Sequence, residues 1–453
     1  MGNNGLGWTL EKDAEYKIGM RLLSNAEIDV VLSVCKEFGD VIKDEVIENG
    51  DTVRKILRNT LLRHLSTNKI DADDEQIEYL TETLYLTVYA YGPLTEMLEN
   101  DSLEEIAVIG LNKPVYVYDR VKGWMETNVK FTDRNVLIDI INKMGRKIGR
   151  RVTIQNPRLN AVLPDGSRIH ATIEPVSELE LTIRKFKKVP LTIRDLVKTG
   201  YSYELLAFLW VVFQNDKNVI ICGNTAAGKT TVLNALFSFV PANERIVLLE
   251  ETPEISIPHK HQLKMKTTAS MNITMKDLIE DSLRMRPDRV IIGEVRTKDE
   301  ILAMIESMNA GQARGCYATM HANSAKELIS RLKYNDVIPS DINSIDLIIV
   351  QRRFLRFENG PKMQEMRRVI EVCEPMENKG TVIIKHLFKY DPKTDCAVMT
   401  PAKSKIIEEI AAANNMSYEE VMLEVGKRAK YLRNNLTKNS NIADVIEKYG
   451  AVG

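Results

Sequence analysis

The sequence predicts an α/β protein, a core with a largely parallel sheet, preceded by an α+β domain and flanked by helical segments. Two patterns carry the prediction. Short apolar runs, Val219 to Cys222, Ile246 to Leu249, Val290 to Ile292, Tyr317 to Met320 and Leu347 to Val350, alternate with helical stretches. This is the rhythm of strands buried on both faces and joined by crossover helices. Upstream, alternating apolar runs bounded by Gly, Pro and Asp read as strands of a smaller mixed domain.

Taken in order, Glu11 to about Tyr91 is helical, with Ile77, Leu80, Leu84, Val88 and Tyr91 at helical spacing until Gly92-Pro93 ends the run. Ile106 to Ile109 and Val115 to Tyr118, separated by Gly110 to Pro114, read as paired strands, and Leu137 to Met144 as their helix. After the turn Asp165-Gly166-Ser167, Arg168 to Ile173 and Leu179 to Phe186 resume the strand pattern. Val189-Pro190-Leu191 reads as a link, with a boundary near residue 195. Leu205 to Phe213 is the longest apolar run, too short to cross a bilayer and therefore a buried helix. Beyond Gly360-Pro361, Arg368 to Cys373 and Val382 to Phe388 form two strands about the turn Asn378-Lys379-Gly380. In the helical tail Ser417 and Glu420 make a capping box, and Met422, Val425, Ala429, Leu432 and Leu436 make a stripe that packs on its own domain. The expected divisions are a helical segment over 1–91, an α+β domain over 92–190, a nucleotide domain over 195–360, and C-terminal strands with a helical tail over 361–453.

A chain of 453 residues with 44% hydrophobic content has material for two or three cores. A net charge of -1 provides no overall basic field, so nucleic acid is not an expected partner. The N-terminus lacks a charged segment followed by an apolar one, which predicts a cytoplasmic protein. Five scattered cysteines without a Cys-x-x-Cys pair predict no structural zinc site. His259 and His261 are expected on one face of a strand, with a surface or hinge role and no third ligand.

The chemistry concentrates in Gly223 to Thr230, GNTAAGKT, between an apolar strand and the helix that opens at Thr231. This pattern binds nucleotide phosphates. Backbone N–H groups of Gly223, Asn224, Thr225, Ala226, Ala227 and Gly228 wrap the phosphates only where no Cβ intrudes. Lys229 reaches the β and γ phosphates and Thr230 offers its hydroxyl to Mg²⁺, while Thr231 continues the helix whose positive end faces the nucleotide. Two later strands end in carboxylates, at Glu250-Glu251 and at Glu294, the place where ligands collect in such sheets. Arg284, Arg286 and Arg296 surround the second, and another strand ends at His321.

Together these stations resemble the secretion ATPases of the type II/type IV superfamily, motors of pili, archaella and secretion systems. GNTAAGKTT is similar to the family's Walker A, LLEETPEI to its Asp box, LRMRPDRVIIGEVR to its Walker B and YATMHANS to its His box. Upstream, YGPLTEML, LPDGSRIHATI and LTIRKF resemble its N-terminal domain, so the likeness runs over roughly 90 to 390. It departs in Asn-Thr-Ala-Ala, where many members carry a second glycine-rich pair, in Gln312 where a first histidine often stands, and in an extra residue between Gly311 and Tyr317. The lack of paired cysteines separates it from the zinc-bearing assembly motors, while GCYATMHANS and KRAKYLRNNL resemble archaeal members.

The resemblance implies a RecA-like P-loop NTPase core that binds ATP and Mg²⁺. It makes Glu250 the water-activating carboxylate, with Glu251 as fallback, Glu294 the Walker B glutamate and Mg²⁺ contact, and His321 the sensor of the γ phosphate. Arg168, Arg184 and Arg296 become phosphate contacts or arginine fingers. It further implies a homo-hexamer at the inner face of the cell membrane, moving a polytopic platform protein that handles pilin-like or secreted subunits. The alternatives are a conjugation-type or DNA-handling motor and a nucleotide-gated scaffold that does not hydrolyse.

Overall fold

The computed structural model describes residues 5–41, 49–119, 122–186, 191–268, 271–357, 363–436 and 445–449. The chain divides into two compact units, Met1–Lys188 and Val189–Gly453.

The first unit runs β1 (Trp8–Leu10), α1 (Asn25–Val41), α2 (Gly50–Asn68), α3 (Asp74–Val88), α4 (Leu94–Glu99), β2 (Leu103–Val108), β3 (Pro114–Asp119), β4 (Gly123–Phe131), α5 (Arg134–Arg146), β5 (Arg158–Val162), β6 (Arg168–Ile173) and β7 (Leu179–Arg184). Its sheet has the order β1-β4-β3-β2-β7-β6-β5, and each of these pairings is antiparallel. Helix α3 starts in a capping box of Asp73 and Gln76, and α2 stops where Lys69 takes φ +55°. Leu57 and Leu61 of α2, Leu84 of α3, and Ile106, Val117 and Leu181 of the sheet belong to one buried cluster. The helices before residue 92 therefore have no core apart from the sheet that follows, and one strand, β1, precedes them all.

The second unit runs α6 (Ile193–Val197), α7 (Tyr203–Gln214), β8 (Val219–Gly223), α8 (Lys229–Leu236), β9 (Ile246–Glu250), β10 (Gln262–Lys266), α9 (Met275–Ser282), β11 (Arg289–Val295), α10 (Lys298–Ala310), β12 (Gly315–Met320), α11 (Ala325–Tyr334), β13 (Leu347–Phe357), β14 (Met363–Asn378), β15 (Thr381–Asp391), β16 (Cys396–Met399), α12 (Lys405–Ala413) and α13 (Tyr418–Asn435). Nine strands lie in the order β10-β9-β11-β12-β8-β13-β14-β15-β16. Pairing is parallel from β10 to β13 and antiparallel from β13 onward. Every residue of β8, β9 and β12 is buried. Alternate residues serve the two faces: Val219 and Ile221 pack with α7 and α8, Ile220 and Cys222 with α9, α10 and α11. One strand, β12, separates β8 from β11, the order of a RecA-like core, as the resemblance implies.

The strands beyond residue 361 continue this same sheet. Their turn has Lys379 at φ +50° and Gly380 at φ +77°, the two positive φ values that suit a tight hairpin. The tail packs back through Val421, Val425, Ala429 and Leu432, with the Arg428 guanidinium 4.8 Å from the Trp210 ring. Val189-Pro190 and Gly360-Pro361, read as links, lie outside the described residues. Among the described residues no helix is long and apolar enough to cross a membrane.

The expectation for His259 and His261 is corrected. Neither lies on a strand, since β10 begins at Gln262. His259 is buried against Phe237, its Nε2 donating to the Pro241 carbonyl at 3.1 Å, whereas His261 is exposed beside Arg245.

Candidate phosphate-binding site

The loop after β8 is set by two glycines. A Cβ on Gly223 would lie 1.9 Å from the Gln351 carbonyl oxygen, so β8 and β13 approach only because it has none. Gly228 has φ +90° as it caps α8. Ala226 also lies in the left-handed region, at φ +59°, a conformation that favours glycine. The Asn224 side chain ties the loop sideways, donating to the Arg353 carbonyl and accepting the Arg353 N–H, both at 2.8 Å. The N–H groups of Lys229, Thr230 and Thr231 open α8 and have no carbonyl four residues back within the helix. A glycine-lined turn followed by these donors and a lysine fits a di- or triphosphate.

Lys229 is buried, its Nζ 3.3 Å from the Gly223 carbonyl, 3.4 Å from that of Asn224 and 3.4 Å from His321 Nδ1. His321 stands one residue beyond β12, and its Nε2 is 2.5 Å from Glu294 Oε1 on β11. Glu294 Oε2 accepts from Arg296 at 2.6 Å, and Arg296 also reaches Glu251 Oε2 at 2.5 Å. Thus Lys229, His321, Glu294, Arg296 and Glu251 form one chain of contacts, with Lys229, His321 and Glu294 at the carboxyl ends of the adjacent strands β8, β12 and β11.

The charges follow from these contacts. Burial and the Lys229 cation lower the His321 pKa against the pull of Glu294, so the ring is neutral at pH 7. A neutral ring beside a carboxylate and an ammonium is assigned the tautomer that donates from Nε2 to Glu294 and accepts at Nδ1 from Lys229. Burial opposes charge on Glu294, but Arg296, His321 and Lys229 outweigh it and hold the carboxyl below its usual range. A carboxylate and a hydroxyl, as Glu294 and Thr230 offer, are oxygen donors of the kind Mg²⁺ prefers.

Glu250 does not join this chain. It is 3% exposed, and its Oε1 accepts the N–H groups of Glu254 at 2.7 Å and Ile255 at 2.8 Å. Burial pushes its carboxyl up, against those two donors. Arg284 and Arg286 are exposed and also stand outside the chain of contacts. The buried guanidinium of this segment is Arg289, which the sequence reading passed over. Arg168 and Arg184 are partners across β6 and β7 of the first unit.

Two positioning residues were not foreseen. Arg331 of α11 donates to the carbonyls of His321 and Arg296, both at 2.9 Å, and so holds two members of the chain through their backbones. Thr319 donates to the Gly293 carbonyl at 2.6 Å, fixing β12 beside β11 next to Glu294. Bonds to carbonyls leave no motif, and the only available signal was the position of Arg331 on the helix after His321.

This chain is similar to an uncharacterized protein, MJ0900, of Methanocaldococcus jannaschii, with 29% identity over 446 residues, 94% of this chain and 79% of that one. A second protein of that organism, MJ0781, is 39% identical over 305 residues, 63% of this chain, and the chain spans only 41% of its length. The type IV secretion system protein VirB11 of Bartonella henselae is 26% identical over 60% of this chain and 90% of its own. Among solved structures, the Legionella pneumophila ATPase DotB is 15% identical with a TM-score of 0.47, covering 80% of this chain and 91% of that one. The model of the Type II/IV secretion system protein family matches residues 90–436, and the chain belongs to that family.

Proposed function

We propose that the chain is an ATP hydrolase that powers pilus assembly or protein secretion. The observation that carries this is the contact chain from Lys229 through His321 to Glu294 and Arg296 across three adjacent strand ends. The loop 223–231 and Lys229 hold the β and γ phosphates, and Thr230 and Glu294 hold Mg²⁺, which when bound neutralises charge developing on the transferred phosphoryl group. His321 takes up contact with the γ phosphate from its place between Lys229 and Glu294. Glu250 activates the attacking water: both backbone donors fall on Oε1, which leaves Oε2, and burial raises its basicity. Glu251, exposed and paired with Arg296, is less suited. Arg296 supplies a further phosphate contact. The working assembly is a homo-hexamer at the inner face of the membrane, where hydrolysis drives domain motion against a polytopic platform protein.

The test is Mg²⁺-dependent ATP turnover per subunit over a range of protein concentrations, with Lys229→Ala as the blank. Glu294→Gln is expected to keep ATP binding and to lose turnover by at least about a hundredfold. Turnover per subunit that rises with concentration supports sites completed by neighbours. Wild-type turnover in both variants refutes the assignment.

A further inference from the structure

Away from the phosphate loop, Glu371, Cys373 and His386 each offer one ligand atom, and these three atoms all lie within 4.8 Å of one another. They come from β14 and β15, neighbours in the antiparallel extension of the sheet. A register shift brings them together. Glu371 is paired with Lys389, so an unbroken ladder would set Cys373 opposite Leu387, but the bulge after Val372 sets it opposite His386. Bulges commonly re-aim one side chain in this way.

The three donor atoms lie close enough together to flank a common ion after a shift of a few tenths of an ångström. His386 Nδ1 is 3.1 Å from Glu371 Oε2, yet this buried nitrogen makes no hydrogen bond. Tetrahedral zinc with N and O bonds of about 2.0–2.2 Å sets such atoms roughly 3.3–3.6 Å apart. The other Glu371 oxygen accepts the Ala325 N–H at 2.7 Å, which orients the carboxylate and links it to the first residue of α11. Cys373 is fully buried, and burial pushes its thiol up, so it is a protonated thiol in the absence of a metal.

We infer that Glu371, Cys373 and His386 form a transition-metal site that takes zinc. Thiol, imidazole and carboxylate together select zinc over the hard cations Mg²⁺ and Ca²⁺. Binding releases the thiol proton of Cys373 to solvent and leaves the metal a fourth position for water. The ion joins β14 to β15 and, through Glu371, to the start of α11, the helix whose Arg331 holds His321 and Arg296. The inference does not rest on ATP hydrolysis. No Cys-x-x-Cys spacing announces the site because the ligands meet across a bulged strand pair rather than along the chain.

The experiment uses the full chain stripped by chelator, kept reduced and in excess Mg²⁺. Zn²⁺ is titrated against a chromophoric chelator, and Co²⁺ serves as a spectroscopic substitute. One ion per chain is expected, with a thiolate-to-cobalt charge-transfer band and tetrahedral d–d absorption. Saturating Zn²⁺ raises the Tm of the second unit by roughly 5 °C or more. Cys373→Ser removes the charge-transfer band, and His386→Gln, at a half-buried position that covers a folding failure of the first variant, weakens zinc at least about tenfold. Cys396→Ser leaves both signals intact. No charge-transfer band, less than one ion per chain, or equal affinity in wild type and both ligand variants overturns the inference, whatever the ATPase assay shows.

Discussion

Arg289→Met tests how β11 is held in place behind Glu294. Arg289 is fully buried, and its Nε and Nη2 donate to the two Glu244 oxygens at 2.6 and 3.1 Å. Nη1 donates to the Asn215 carbonyl at 2.9 Å and the Tyr317 hydroxyl at 3.3 Å. Methionine fills most of the space but leaves the Glu244 carboxylate, 5% exposed, without its fork of donors. Removing one member of a buried ion pair costs about 3–5 kcal/mol. Arg314 remains 3.4 Å from Glu244 Oε1 on an exposed side chain, which argues for the lower end, about 3 kcal/mol. For a unit of this size the loss corresponds to a Tm lower by roughly 6–12 °C. Unfolding in urea, followed by hydrogen exchange in peptides covering 246–250 and 289–295, isolates this sheet. Arg289→Met combined with Glu244→Leu removes the unpaired charge and is expected to recover at least half of the loss. A double variant as unstable as Arg289→Met would refute the reasoning, because the stranded carboxylate would then not be the cause.

Arg331→Ala withdraws the two bonds to the His321 and Arg296 carbonyls and is expected to lower ATP turnover about tenfold while ATP binding holds, as read by steady-state assay and equilibrium titration. Gly223→Ala is expected to abolish nucleotide binding or folding, since its Cβ collides with the Gln351 carbonyl. Ala226→Val places a β-branched residue at φ +59° and is expected to cost about 1–2 kcal/mol, whereas Ala226→Gly is tolerated, both measured by chemical unfolding. His259, pulled down in pKa by burial, is neutral when folded and protonates at about pH 6.5 when unfolded. The unfolded chain therefore binds more protons on the acid side, and stability falls as pH drops below about 6.5. His259→Asn is expected to flatten that slope in unfolding curves taken between pH 7 and pH 5.

What could be read from the residues depended on how local the cause was. The strands β8, β9, β11, β12 and β13 announce themselves because they are sandwiched between helices and carry near-continuous apolar side chains. Its partner at the edge, β10, has the sequence QLKMK with no buried residue, and nothing in such a string distinguishes a strand from a loop. The short strand β1 was hidden because its pairing is to β4, more than a hundred residues away. The shared core of the early helices and the first sheet was equally invisible, since packing partners leave no mark at either position. At the site, the order of Lys229, Glu294 and His321 was plain, but the spacing of Arg284, Arg286 and Arg296 suggested a cluster where the fold exposes the first two. Burial of Arg289 follows from Glu244, which lies 45 residues earlier.

The side chain of Asn224 determines which wall of the pocket is fastened to the sheet. Its two bonds to Arg353, with the close approach of Gly223 to Gln351, fasten the loop to the backbone of β13. Tyr201 in turn holds β13, donating to the Gln351 side chain at 3.2 Å within the core. A shift of the loop would have to drag a whole strand, so this wall acts as the anvil of the pocket. The Arg296 guanidinium, by contrast, is held by the side chains of Glu294 and Glu251 and is half exposed, so it can swing at the cost of those ion pairs while Arg331 and Glu300 keep its backbone in place. On the proposed function, the response to loss of the γ phosphate leaves through the carboxylate side of the pocket, while the loop stays where it was.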